Sequence, residues 1–300
     1  MAARFILLGD DFSDDNKKAR VRSELLEKLA DEIARRMKAE LRVLYALDVP
    51  ANVIDRNETL LMLEEDHTHR LSVKAKLDFQ EGSPVELILK EDRKKNGPEL
   101  IVLGSRGNRG LKKAFLGSVS EEVLRHANTP VLILGPEAQA QRYKLPANKK
   151  LKLLVLTDLT PASGPAEREA LKLAKALKAD IVLAYSIGDQ IRRLKNMLYS
   201  QRIVSQGVEE MFVKIREEAD QSLKRKVQAY QRQGIAVEGL MLRAEKDVSR
   251  VISQDAEENY DMIVMGTHSR NKFLTAFLGS TARNMILRSP IPVLIVRSKS

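Results

Sequence analysis

The residues best suited to chemistry form a glycine-rich loop. It reads Gly104-x2-Gly107-x9-Gly117-Ser118 and lies between a short apolar run and a segment of helical periodicity. Glycine lets the backbone turn and lets a ligand approach closely. A helix that begins at Ser118 directs free amide groups and its positive dipole end at an anion, and Ser118 and Ser120 would add hydroxyl donors. The pattern therefore predicts a phosphate-binding loop.

Two common phosphate-binding motifs do not match this loop. A P-loop would need Gly-Lys followed by Ser or Thr, which the loop does not contain. The dinucleotide fingerprint follows the first strand of its domain, whereas these glycines follow the fourth predicted strand.

The loop occurs twice because the chain contains an internal repeat. Residues 100–134 resemble residues 262–296 at a constant offset of 162 positions. The string Ala-Phe-Leu-Gly recurs at 114–117 and 276–279. A match of this length does not arise by chance, so we expect two copies of one structural unit.

The two copies also begin alike. Each opens with a short apolar run that ends in aspartate, at Asp11 and at Asp158, followed by an apolar and a hydroxyl residue. A polar stretch with two prolines separates the copies. We therefore predict one domain at 1–143 and a second at 149–300.

Strands and helices alternate within each copy. In the first copy we predict strands at 5–9, 41–47, 73–79, 100–103 and 131–134. We predict helices there at 16–39, 58–75, 84–96 and 118–126. The second copy repeats the pattern, with a longer polar helical region at 189–232. This alternation predicts a parallel sheet with helices on both faces, and such sheets bind ligands outside the carboxyl ends of their strands, where the strand order switches.

Composition narrows the class of protein. The 300 residues are 43% hydrophobic and 31% charged, which suits two domains with a core each. The absence of cysteine excludes disulfides, thiolate metal sites and a cysteine nucleophile. No apolar run approaches the roughly 18 residues of a membrane span, and the apolar start is too short for a signal peptide. We expect a cytoplasmic protein with no membrane partner.

The positive charge lies in the second half. Residues 1–147 carry 25 Lys+Arg and 24 Asp+Glu, whereas residues 148–300 carry 26 and 17, so the halves contribute +1 and +9 to the net charge of +10. Nucleic acid is nevertheless not the expected partner, because tryptophan is absent and only 4% of residues are aromatic.

The glycine loop, the early Asp11-Phe12-Ser13 and the final Pro-Val-Leu-Ile-Leu of the first copy resemble the universal stress protein family. The resemblance covers nearly all of both halves. It implies two tandem flavodoxin- or Rossmann-like α/β domains, each with a five-stranded parallel sheet. It also implies that copies with the full glycine motif bind ATP, and we extend this expectation to Mg²⁺ or Mn²⁺ on the phosphates.

The family motif assigns roles to positions in the first copy. Asp11 would lie beside the adenine or ribose, Ala46 would offer its backbone to the adenine, and Gly82 would leave room beside the nucleotide. The loop and the start of the next helix would hold the ribose and phosphates. The predicted nucleotide-binding residues are Asp11, Phe12, Ser13, Ala46, Gly82, Gly104, Arg106, Gly107, Gly117, Ser118, Val119 and Ser120.

The second copy keeps only part of the motif. Ser269 replaces the second glycine, and Glu245 stands near the position of Gly82, where it would add bulk and negative charge. We therefore expect nucleotide mainly in the first copy. The candidate residues of the second copy are Asp158, Gly266, Ser269, Gly279, Ser280 and Thr281.

The last strand of each copy, at 129–134 and 291–296, is apolar. An apolar edge strand needs a cover, and the resemblance implies that these strands meet across a twofold axis. The halves would then form an internal pseudo-dimer, and two chains could associate further as a homodimer. The alternative is two ordinary core strands covered by helices.

Three functions remain open on the sequence. The first is a regulatory ATP-binding stress protein with little or no hydrolysis, because no general base or arginine finger can be named. The second is a scaffold without nucleotide, whose basic helical region docks an unknown protein partner. The third is a phosphohydrolase acting on an adenosine nucleotide. We predict no catalytic residue and no metal site, and Asp11 and Asp158 are also good cap residues.

Overall fold

The computed structural model describes residues 4–10, 17–47, 71–73, 75–105, 116–200, 206–243, 247–267 and 278–297. Six of the predicted site residues lie outside these ranges. They are Asp11, Phe12, Ser13, Arg106, Gly107 and Ser269.

The described residues form strands and helices in alternation. The strands are β1 (Phe5–Asp10), β2 (Glu40–Leu47), β3 (Ala75–Glu81), β4 (Leu100–Gly104), β5 (Val131–Leu134), β6 (Lys152–Thr157), β7 (Asp180–Ser186), β8 (Val237–Leu242), β9 (Met262–Gly266) and β10 (Val293–Val296). The helices are α1 (Lys17–Met37), α2 (Pro84–Asp92), α3 (Ser118–His126), α4 (Pro136–Ala140), α5 (Gly164–Leu177), α6 (Ile187–Ser200), α7 (Gln206–Gln231), α8 (Val248–Asn259) and α9 (Ser280–Arg288).

All ten strands belong to one sheet, in the order β3-β2-β1-β4-β5-β10-β9-β6-β7-β8. Each half is parallel and five-stranded, and the halves join where β5 and β10 pair antiparallel, with Leu132 opposite Leu294. Every residue of these two strands is buried. The predicted pairing of the last strands is confirmed, and among the described strands β3 and β8 form the sheet edges.

Helices cover both faces of the sheet, as predicted. On one face, Ile33 of α1, Leu171 of α5 and Leu223 of α7 pack into a single apolar core that runs across both halves. On the other face, α2, α3, α8 and α9 supply the corresponding core. The prediction of a parallel α/β fold is confirmed, with a single sheet shared by the two copies.

Some predicted boundaries are wrong for identifiable reasons. The helix predicted to reach residue 96 ends at Asp92, whose carboxylate accepts the amides of Asn128 and Thr129 at 2.9 and 2.8 Å. Residues 71–73 are not helical, because the amides of Ser72 and Val73 donate to Asp31. Accordingly β3 begins at Ala75 rather than at residue 73.

The structure describes the predicted helical regions at 58–75 and 189–232 to different extents. The remainder of the helix predicted at 58–75 lies outside the described residues. The region at 189–232 contains two helices, α6 and α7.

Residues of both copies form hydrogen bonds with the segment that joins them. The Tyr143 hydroxyl donates to the Asp261 carbonyl at 2.7 Å, and burial raises the pKa of Tyr143. One nitrogen of Arg36 donates to the carbonyls of Pro146 and Ala147 at 2.7 and 2.9 Å. The join also contains α4, a short helix that the sequence analysis did not predict. The domain limits at 143 and 149 stay a prediction.

Candidate functional site

The strand order of the first copy switches direction between β1 and β4. The chain continues from β1 to β2 and β3 on one side, and from β4 to β5 on the other, so the order switches between β1 and β4. Parallel sheets bind ligands at such a switch point. β1 ends at Asp10 and β4 ends at Gly104. The glycine loop therefore leaves the sheet at the switch point, and Asp11 directly follows the neighbouring strand.

Two hydrogen bonds close the base of the glycine loop. The Gly117 amide donates to the Ser105 carbonyl at 2.6 Å, and the Ser120 hydroxyl donates to the Gly104 carbonyl. Ser120 is buried, so its hydroxyl fixes the loop base instead of pointing to solvent as a donor for phosphate. These contacts set where the loop leaves the sheet and where it returns.

The helix α3 begins directly after this base. The Glu121 amide donates to the carbonyl of the N-cap residue Gly117 at 2.9 Å. The preceding amides of Ser118, Val119 and Ser120 therefore have no acceptor within the helix. Gly117 is the N-cap and contributes no side chain to these amides. The helix start thus offers several N–H donors and the positive end of a dipole beside the loop, which suits an anion.

Two further predicted residues lie at the same edge of the sheet. Ala46 is half-buried near the carboxyl end of β2, next to β1. Gly82 follows β3 with a φ of +129°, a conformation that side chains other than glycine rarely adopt. The backbone therefore requires glycine at position 82 whether or not a ligand is present.

A buried polar cluster beside the site was missed by the sequence analysis. Asp10 accepts a hydrogen bond from the Ser23 hydroxyl of α1, and Glu27 lies one turn further along α1 with only 1% of its surface exposed. The equivalent residues of the second copy are Thr157, Ser163 and Glu167. Their hydrogen bonds differ, because the Thr157 hydroxyl donates to Glu167 and the Ser163 hydroxyl donates to Asp158. Alignment of α1 with α5 at an offset of 140 residues would have found them.

In the second copy, Asp158 is part of a hydrogen-bonded turn. Its Oδ1 accepts the amide and hydroxyl of Thr160 at 2.9 and 2.7 Å, and also the hydroxyl of Ser163. Leu159 is held at a φ of +61° by this turn. The Asp158 side chain is therefore engaged in the turn before α5, where Thr160 and Ser163 are the N-cap residues. Its contact with nucleotide stays a prediction.

The second copy also differs after its second strand. α6 begins immediately after β7, and Ile187 and Ile191 are buried in a cluster with Phe212 against which Leu159 packs. This cluster follows Ser186, the residue equivalent to Ala46. The carboxyl ends of β6 and β7 therefore carry an apolar core and a capped turn.

The glycine-loop base is nevertheless preserved in the second copy. The Gly279 amide donates to the Thr267 carbonyl at 3.1 Å, and Ser280 and Thr281 begin α9 as Ser118 and Val119 begin α3. Gly266 ends β9 in the position of Gly104.

Within the described ranges, no three His, Asp or Glu side chains lie close enough together to hold a metal ion. None of the helices in those ranges is both long and apolar enough to cross a membrane.

The chain was compared with known proteins. The model of the universal stress protein family matches residues 4–135 and 151–297. A universal stress protein of Mycobacterium tuberculosis is 23% identical over 231 residues, covering 76% of this chain and 70% of the relative. One of Bacillus subtilis is 35% identical over 127 residues, covering 35% of this chain and 85% of the relative. The crystal structure of a universal stress protein from Archaeoglobus fulgidus matches with a TM-score of 0.63 at 21% identity, covering 99% of this chain and 97% of that one.

Proposed function

The chain belongs to the universal stress protein family, and from this premise we propose that it is a regulatory stress-response protein that binds ATP in its first copy. The observation that carries the proposal is the helix start at Gly117. Its free amide groups face the end of a glycine loop whose base is fixed at the switch point of the sheet.

The residues present suit a polyphosphate chain better than a free cation. Amides and the Ser118 hydroxyl are donors, which match phosphate oxygens. Mg²⁺ or Mn²⁺ would therefore be held mainly by the phosphates of ATP, where it would neutralise their charge. The carboxylates in the first turn of α3 are paired with arginines, Glu121 with Arg125 and Arg283 and Glu122 with Arg125, so we expect little or no hydrolysis.

We further propose that the second copy contributes structure more than nucleotide binding. Asp158 already accepts three hydrogen bonds within its own turn, and Ile187 and Ile191 cover the neighbouring strand ends. Nucleotide binding there would require this turn and this apolar cluster to rearrange.

The experiment compares matched glycine substitutions in the two copies. Gly117→Val and Gly279→Val change equivalent N-cap residues, whose φ values of −63° and −59° are open to any residue. The side chain at Gly117→Val would occupy the approach to the amides of α3. We expect it to abolish ATP binding measured by calorimetry, whereas Gly279→Val keeps the wild-type affinity and one ATP per chain.

The same variants test the proposal by thermal unfolding. ATP at 100 times its dissociation constant should stabilise the wild type by about 2.7 kcal/mol. Unchanged ATP affinity in Gly117→Val would show that the site is assigned wrongly. Equal losses in both variants would show that both copies bind nucleotide.

A further inference from the structure

A groove lined by positive side chains runs along the outer surface of α5, and we call it the α5 groove. Its volume is about 700 Å³. It is lined by Arg4, Arg168, Leu171, Lys172, Lys175, Ala176, Tyr230 and Gln233. Both halves contribute, because Arg4 precedes β1 whereas the others lie on or near α5 and α7. Four of the eight residues are cationic and none is acidic.

Two of the four cations of the groove are unpaired within the described ranges, and the other two, Arg4 and Lys172, each have an acidic neighbour. Arg168 and Lys175 have no ion-pair partner among the described residues, and Lys172 lies 3.5 Å from Glu169 with 53% of its side chain exposed. Arg4 donates Nε and one terminal nitrogen to Glu99 at 2.7 and 2.6 Å. This pairing fixes the guanidinium in place and leaves its second terminal nitrogen for another acceptor.

The nearest buried acid does not neutralise the groove. Glu167 is 1% exposed, and Lys226 donates to both of its oxygens at 2.8 and 2.6 Å. The Tyr230 hydroxyl also donates to Glu167. This carboxylate is therefore compensated beneath the surface.

The repeat shows that the two copies differ in charge at the central position of the three cations on α5. At the offset of 140 residues, the positions of Arg168, Lys172 and Lys175 correspond to Lys28, Glu32 and Arg35 of α1. There the central residue is acidic and accepts hydrogen bonds from Arg35 and Arg36.

The counterpart of Arg4 changes as well. It is Leu151, which is fully buried. If these side chains only kept the helix surface in contact with water, the set on α1 and the set on α5 would serve equally well. The concentration of four cations on one side points to an anionic ligand.

We propose that the α5 groove binds a linear chain of phosphate groups. The cations at positions 168, 172 and 175 are spaced as i, i+4 and i+7, which places them along one stripe of about 10 Å on the helix. Guanidinium and ammonium groups both bind phosphate oxygens, the former in a bidentate manner. An unbranched chain with successive negative charges would meet these cations in turn.

Other anionic ligands fit the groove less well. A peptide would need partners for its backbone, and Gln233 is the one amide side chain in the lining. A single-stranded nucleic acid would need aromatic faces for its bases, and the one aromatic residue, Tyr230, already donates its hydroxyl to Glu167.

The groove is distinct from the nucleotide site proposed above. Arg4 lies at the amino end of β1, whereas the nucleotide site lies at the carboxyl end of that strand. The two ends of a six-residue strand are about 17 Å apart. The inference therefore does not depend on ATP binding in the first copy.

The test uses a short-chain inorganic polyphosphate and the full chain. The groove variant is Arg168→Gln/Lys172→Gln/Lys175→Gln. The control removes the same charge at three exposed lysines elsewhere, as Lys28→Gln/Lys90→Gln/Lys214→Gln. Binding is measured by calorimetry at low and at physiological salt, after unfolding curves without ligand confirm that both variants fold.

We expect the groove variant to bind polyphosphate about 30-fold more weakly than the wild type, from three exposed charge contacts. The control variant and Gly117→Val should bind as the wild type does, and binding should weaken with salt. Unchanged binding in the groove variant, equal losses in the groove and control variants, or no binding by the wild type would each overturn the proposal.

Two further outcomes distinguish this proposal from the alternatives of another site and another ligand. If Gly117→Val alone lost polyphosphate binding, the polyphosphate would bind in the nucleotide site. This result would overturn the proposed binding in the α5 groove but not the proposed function. Poly-glutamate is measured in the same way. If it bound as tightly as polyphosphate and depended equally on the groove cations, the ligand of the groove would be an acidic peptide instead of a phosphate chain.

Discussion

Replacement of Lys226 by methionine should destabilise the protein strongly, because Lys226 compensates a charge in its interior. Glu167 is almost fully buried between α5, the sheet and α7. Both of its oxygens accept from Lys226, and it also accepts from the hydroxyls of Thr157 and Tyr230. In the variant only these two neutral donors remain. Burial and the neighbouring carboxylate raise the pKa of Tyr230, so this hydroxyl stays protonated and donates.

The magnitude follows from the burial of the carboxylate. Removal of one partner of a buried ion pair costs about 3–5 kcal/mol, because the remaining charge is left uncompensated. The hydroxyls of Thr157 and Tyr230 still solvate Glu167, so we expect a loss near 3 kcal/mol, the lower end of that range. For a chain of this size this corresponds to a fall of about 6–12 °C in the melting temperature.

The assay compares this variant with a matched control two residues away. Lys224 lies on the same helix and pairs with Asp220 at 2.7 Å, but 70% of its side chain is exposed. Lys224→Met should therefore cost less than about 1 kcal/mol in urea unfolding. Glu167→Gln combined with Lys226→Met removes both charges and should recover most of the loss.

Equal losses in Lys226→Met and Lys224→Met would refute the reasoning. So would a double variant no more stable than Lys226→Met alone.

Two more predictions concern the contacts between and within the halves. A Cβ atom at Gly135 would lie 2.1 Å from the backbone carbonyl oxygen of Ile286, so Gly135→Ala must displace α9 from the join. We expect a loss of about 2 kcal/mol or more in urea unfolding, and an unchanged midpoint would contradict this contact. The hydrogen bond from Arg4 lowers the pKa of Glu99 from 4.5 in the folded protein. The ion pair therefore contributes its full stability above pH 4.5, and this contribution is lost as the pH falls through the lowered pKa of the folded state. Arg4→Met should therefore flatten the melting temperature against pH between about pH 5 and pH 3, and a profile parallel to that of the wild type would show that the pair does not contribute.

Elements with strong periodicity and clear end signals were predictable from the sequence. The helix at 118–126 and the strand at 131–134 have the predicted bounds, because Gly117 and Pro130 mark their starts. The helix after Pro84 ends earlier than its periodicity indicates, since Asp92 binds the amides of Asn128 and Thr129 across the fold. Such a contact between distant segments leaves no signal in a local pattern.

The candidate site was predictable only in part for the same reason. Glycine spacing identified the loop and the helix start, which are local features. The Ser120 hydroxyl was predicted as a phosphate donor, but it closes the loop base on Gly104. Asp158 was a candidate because of its position in the repeat, and the structure adds that its carboxylate accepts hydrogen bonds from Thr160 and Ser163 in the turn before α5. Whether these residues bind nucleotide stays a prediction.

The fusion of two copies into one chain would allow the molecule to carry the two different anion sites proposed above. In a homodimer of single copies, symmetry would place the same side chains on both sides of the β5–β10 junction. Any charge added to one groove would appear in the other. In the tandem chain Lys172 and Glu32 occupy equivalent positions and differ in sign. A charged groove could therefore develop on α5 alone while the first copy kept its glycine loop. Restoring the symmetry with Lys172→Glu should therefore weaken polyphosphate binding in the groove and leave ATP binding at α3 intact.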